Sequence, residues 1–151
     1  MAGNVTSSGY HAAASNVLTT ELNSLADGSV TALGTEEDNS TNKYLFADFQ
    51  IDLASLTISS TSAWLGVYLI PTVDGTNYPD WSSGSFANYH SGYFAGAAFI
   101  KAVSSTAARA DLRNVIVPPG KFKVAIRNAT GVSLASSGNT AKIRYHSGYA
   151  N

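Results

Sequence analysis

The chain has 151 residues, of which 13% are charged and none is cysteine. That length supports one domain with a real core, and the lack of cysteine excludes disulfides and thiolate metal sites as its supports. The formal net charge of −1 hides a sorting by position: residues 1–80 hold nine acids against one lysine, net −8, and residues 81–151 hold eight bases against one acid, net +7.

Opposed halves can hold each other within one fold, or hold one copy against the next and set its orientation. Strands from both halves of a sandwich end up adjacent, so internal pairing is the simpler expectation. The charged fraction is about half the ~25% usual for soluble domains. A surface of Ser, Thr, Ala, Asn and Gly repels copies of itself weakly, which suits a protein packed among others. No stretch is long enough to cross a membrane, and Met1 to Tyr10 lacks the basic start and apolar run of a secretory signal. The bases alternate along strands with no glycine-aromatic RNA motif and no helix-turn-helix pattern, so neither nucleic acid nor membrane is an expected partner. Three sequons, at Asn4, Asn39 and Asn128, read as chance in so Asn-, Ser- and Thr-rich a chain.

Residues 1–15 (MAGNVTSSGYHAAAS) show no periodicity and form an extended N-terminal arm. Ordering it requires contacts with its own domain or with a neighbouring copy. Residues 16–43 hold a short helix and an acidic connection. Leu18, Leu22 and Leu25 fall at i, i+4 and i+7, which predicts a helix over Asn16 to Ala26, with Gly28 as its stop. Glu36, Glu37 and Asp38 then read as a solvated link.

Residues 44–151 read as β. Tyr44 to Leu53 alternates, with Leu45, Ala47, Phe49, Ile51 and Leu53 opposite Asp48, Gln50 and Asp52. Trp64 to Ile70 is apolar on both faces and hence central, closed by Pro71. Asp74-Gly75 signals a turn. Gly92 to Val103 is a further apolar run. Ala107 to Val117 sets Ala110 and Leu112 against Arg109, Asp111 and Arg113, and Pro118-Pro119-Gly120 forces a turn. Phe122, Val124 and Ile126 alternate with Lys121, Lys123 and Arg127. Ala141, Ile143 and Tyr145 alternate with Lys142 and Arg144. Six or seven strands at this spacing predict an all-β protein, an antiparallel β-sandwich of jelly-roll or immunoglobulin-like type.

From Leu18 onward, five elements in succession resemble small structural proteins of tailed bacteriophages. They are LTTELNSLADGS (Leu18 to Ser29), DNSTNKYLFADF (Asp38 to Phe49), VYLIPTVDGTNY (Val67 to Tyr78), VPPGKFKVAIRN (Val117 to Asn128) and ASSGNTAKIRY (Ala135 to Tyr145). The resemblance implies a virion component. Among such components it points to a capsid decoration (cement) protein on the shell exterior, a homotrimeric jelly roll whose partners are the major capsid protein and its own copies. A tail-associated role is the alternative. Tyr78 to Tyr93 departs from that family by being richer in aromatic residues.

That segment places Tyr78, Trp81, Phe86, Tyr89 and Tyr93 among Ser and Gly, the composition of a recognition surface. The same rings could equally cap one end of the sandwich, or stack on sugars, which keeps a surface carbohydrate-binding or host-recognition module as the rival reading. Tyr-His-Ser-Gly-Tyr occurs at Tyr89 to Tyr93 and again at Tyr145 to Tyr149, and Tyr10-His11 echoes it. A metal cluster of His11, His90 and His146 is one reading. Aromatic turns used in assembly, through Tyr10, His11, Tyr89, His90, Tyr93, Tyr145, His146 and Tyr149, form the expectation adopted. No cofactor and no metal is expected. Gly131 to Ala135 only approximates a nucleophile elbow, Asp74, Asn77 and Asp80 lack calcium-loop spacing, and Asp48 with Asp52 reads as a solvated pair. The chain is expected not to be an enzyme.

Overall fold

Alternating strands are half-apolar, so two such faces must meet. The computed structural model describes residues 13–146; most of the predicted arm lies outside this range. The described strands are β1 (Ser15–Leu18), β2 (Ser29–Val30), β3 (Glu37–Asp38), β4 (Phe46–Ile58), β5 (Trp64–Pro71), β6 (Gly84–Ser85), β7 (Phe94–Phe99), β8 (Val103–Ile116), β9 (Lys121–Ala129) and β10 (Thr140–His146). One sheet has the order β1-β10-β4-β8 and the other β6-β2-β9-β5-β7, with β3 also on β9; all pairs are antiparallel. Setting aside β3 and β6, the other eight strands switch sheets at every step except β5 to β7, which pair with each other, and this is the order of a jelly roll.

The core lies between the sheets. Ala47, Phe49, Ile51 and Leu53 of β4 and Ala141 and Ile143 of β10 face Leu65, Val67, Phe122, Val124 and Ile126 of β5 and β9. These are the inward sets the alternation predicted. Leu45 is the exception: it precedes β4 and stands exposed. Strand β8 keeps pairing with β4 over its whole length by means of register breaks, near which Ser105 and Asn114 adopt positive φ.

The helix predicted over Asn16 to Ala26 is replaced by β1 and a single 3-10 turn, Thr20–Leu22. Val17 and Leu18 are both buried. Pairing of Ser15 to Leu18 with β10 decides this segment, together with β-branched Val17, Thr19 and Thr20. The acidic connection is likewise not simply solvated: Glu37–Asp38 pairs with β9 as β3.

Gly34 carries the chain past β1. A β-carbon there would collide with the Val17 carbonyl and the Leu18 side chain. Buried Asn side chains then tie the loops. Asn39 Nδ2 donates to the carbonyls of Tyr44 (2.9 Å) and Pro118 (2.8 Å), and its Oδ1 accepts from the Tyr44 N–H. Asn128 Nδ2 donates to the carbonyls of Leu25 and Val132. Two of the three sequon asparagines are thus buried with both amide hydrogens engaged; Asn4 lies outside the described residues.

Candidate functional site

The outer face of the second sheet is covered by the segment that sequence singled out. Tyr68, Ile70 and Ala125 form a small buried cluster, and Tyr78, Trp81, Phe86 and Tyr93 pack on it. Trp81 lies 5.9 Å from Tyr68 and 6.3 Å from Tyr93 between ring centroids, and its Nε1 donates to the Thr31 carbonyl at 2.8 Å. Phe86 is placed by Arg127, whose guanidinium sits 4.1 Å over its ring and 5.5 Å from that of Trp64. Tyr78 donates to Glu36 at 2.7 Å and lies under Lys123 at 4.7 Å. Burial, reinforced by the Glu36 carboxylate, holds its phenol above the usual tyrosine range. Glu36, bonded by Tyr78 and Lys121, titrates below its ordinary value.

These rings thus lie on the outer face of the second sheet rather than at an end of the sandwich. Of the three bases expected to point outward from β9, Lys123 and Arg127 become cation–π partners of these rings, while Lys121 pairs with Glu36. Tyr89 is the exposed member, at 48%. It borders an open depression lined by Pro79, Asp80, Ser82, Tyr89 and Tyr93.

The Tyr-His pair that opens each copy of the pentapeptide adopts two conformations. Asn88–Tyr93 is a 3-10 turn, whereas Tyr145 and His146 end β10. His90 is 0% exposed, with its ring 4.0 Å from Tyr89 and 4.3 Å from Trp81. Its Nδ1 accepts from the Ala87 N–H at 2.9 Å, so the ring hydrogen resides on Nε2, 3.2 Å from the Ser82 carbonyl. His146 is buried on the outer face of the first sheet, stacked on Phe46, with Nε2 3.3 Å from Asp48 Oδ1. The two histidines serve opposite faces of the sandwich, so one subunit does not bring them together as a metal pair. Tyr145 turns inward, stacks on Tyr44 at 5.3 Å and donates to Glu37 at 2.9 Å. Burial raises both of these groups, and proximity to Glu37 raises the phenol further. Tyr10, His11 and Tyr149 lie outside the described residues.

The sorted charges meet inside the subunit. Acidic β4 lies between basic β8 and β10. Asp52 accepts from Arg109, from Lys142 at 3.2 Å and from Gln50 at 2.9 Å. Desolvation raises its carboxyl, but these three partners outweigh it and hold the group below the usual range. Asp52 is thus paired, where the sequence suggested solvation. Lys121 pairs with Glu36 at 2.9 Å across the other sheet.

Sequence reasoning missed the surface at β7. Phe94 and Phe99 are 49% and 71% exposed, on a run the sequence marked only as apolar. Their position at the ends of four small residues was the available signal. No helix of the described residues is long and apolar enough to cross a membrane, and no group of three or more His, Asp or Glu residues within them could hold a metal ion. No protein-family model and no curated protein sequence matches the chain.

Proposed function

We propose that this chain is a non-enzymatic structural protein of a tailed bacteriophage particle. In this reading it is a capsid decoration (cement) protein that binds the shell exterior and stabilises it by bridging capsid subunits. The observation that carries the reading is a set of large apolar side chains left in solvent on strands at open sheet edges: Phe94 and Phe99 on β7 and Ile116 on β8. Such surfaces are what a protein working by adhesion needs. The charges that could have steered association are partly engaged within the subunit, so apolar contact and backbone pairing carry the adhesion. Copies spanning several capsid subunits gain avidity from modest interfaces engaged together.

Purified particles test the proposal. Many copies distributed over the shell in a reconstruction, and easier disruption of shells stripped of them, are expected. Absence from particles, or a few copies confined to the tail, overturns it. The depression beside Tyr89 favours a second reading, a tail or surface module that stacks sugars on Tyr89 and Tyr93. Binding on a glycan array that is lost in Tyr89→Ala supports that reading, and an empty array refutes it.

A further inference from the structure

We infer that β7 is a self-pairing edge, through which two copies join antiparallel about a two-fold axis at Ala97. Strand β7 is bonded to β5 on one side, and among the described residues no strand pairs its other side. A free edge presents a row of unpaired N–H and C=O groups, which proteins ordinarily blunt with charge, proline or cover. Here no charged side chain and no proline lies between Asp80 and Lys101, and the one histidine of that stretch is buried. Two copies meeting along β7 therefore bring no like charges together.

The geometry selects a second copy as the occupant. In an unbroken strand, residues five apart point to opposite faces. The pairing of β7 with β5 slips between Val67 and Tyr68, so that Phe94 stands opposite Tyr68 and Phe99 opposite Trp64. Both phenyl rings thereby share the outer face, and Phe94 packs edge-on against Tyr68 and Trp64 at 5.5 and 6.4 Å. Gly96 faces inward against Leu112. The order outward from Ala97 is consequently the same in both directions: an inward small position (Ala98 on one side, the Ala95-Gly96 irregularity on the other), then an outward phenylalanine. A two-fold axis at Ala97 sets it against its own copy and each Phe94 opposite the Phe99 of the second copy, with every pair facing the same way. Such an isologous contact joins the two second sheets into one and covers the exposed rings.

The contact uses the same exposed phenylalanines as the particle reading but needs no particle, and it is tested on the isolated full chain, so that either can fail without the other. Sedimentation velocity of wild type is expected to show a dimer, and Ala97→Lys, which puts two like charges on the axis, is expected to weaken it about tenfold or more. Phe99→Ser, at a side chain the fold does not bury, should weaken it while the melting temperature at concentrations too low for dimer stays unchanged. The chain has no cysteine, so Ala97→Cys supplies a direct readout. Paired residues about 4.5–5.5 Å apart fall within the ~4.4–6.8 Å span of a disulfide. Rapid oxidation to a covalent dimer is expected, while Ser136→Cys, on an exposed loop, forms no covalent dimer. A wild-type monomer at high micromolar concentration, or a three-fold oligomer in which Ala97→Cys does not cross-link, overturns the inference.

Discussion

Replacing Trp81 by alanine separates the aromatic cap from the sandwich it covers. The side chain contacts Tyr68, His90 and Tyr93 and donates to the Thr31 carbonyl. Truncating a buried tryptophan costs about 3–5 kcal/mol, and partial exposure of this one argues for the lower end, about 3 kcal/mol. Roughly 1 kcal/mol of that is the hydrogen bond, which Trp81→Phe removes while keeping an aromatic ring. The cap cluster is distinct from the inter-sheet core, so the loss falls on local opening of residues 82–93. Hydrogen exchange there should accelerate on the order of a hundredfold, with new proteolytic cleavage in the same stretch. Exchange in the centres of β5 and β9 should change much less. Equal acceleration in the strands would show that cap and core unfold as one unit. Unchanged exchange in the loop would show that ring packing does not hold it.

Asp52→Asn removes the shared partner of Arg109 and Lys142 and should cost about 1 kcal/mol at neutral pH, since Arg109 remains largely exposed. The folded carboxyl titrates below its unfolded value, so its contribution is present above the ordinary carboxylate range and disappears as pH falls through the folded value. Denaturation curves of wild type and variant should converge in acid and in high salt. Glu37 behaves oppositely: burial raises its carboxyl, so wild type loses stability as pH rises from the unfolded value through the raised one. Glu37→Gln, which keeps an acceptor for Tyr145, should therefore match wild type in acid and exceed it at neutral pH by under about 1 kcal/mol after discounting for solvent; a variant less stable at neutral pH contradicts this. Gly34→Ala forces a β-carbon onto the Val17 carbonyl and should lower stability by at least about 2 kcal/mol in urea, whereas Gly75→Ala, with open space around it, should cost only the strain of its positive φ.

The strands of the sandwich were legible because their signal is local. In β4, β9 and β10 every second residue is apolar, and a period of two commits a segment to one buried face whatever it pairs with. Pro71 and Pro118-Pro119-Gly120 mark ends through fixed φ and a missing donor. The segment Asn16 to Ala26 misled because three leucines at helical spacing are a weak signal. Pairing with β10, more than a hundred residues away, overrode it. The Tyr-His pairs that open the twin Tyr-His-Ser-Gly-Tyr segments show the same limit: Tyr89-His90 lies in a turn under Trp81 and Tyr145-His146 ends a strand, with His146 on Phe46, because their surroundings differ.

By itself, then, the sequence determined the all-β class, the inward-facing sets, the main turns and the segregation of charge. Only the tertiary structure decided that the Tyr78 to Tyr93 rings lie on the sheet and that β4 carries its acids between two basic strands. It also decided that β7 leaves two phenylalanines exposed and, among the described residues, one edge that no strand pairs. The reason is physical: periodicity is imposed by neighbours along the chain, whereas the covering of a face depends on strand order, which contacts between remote residues establish.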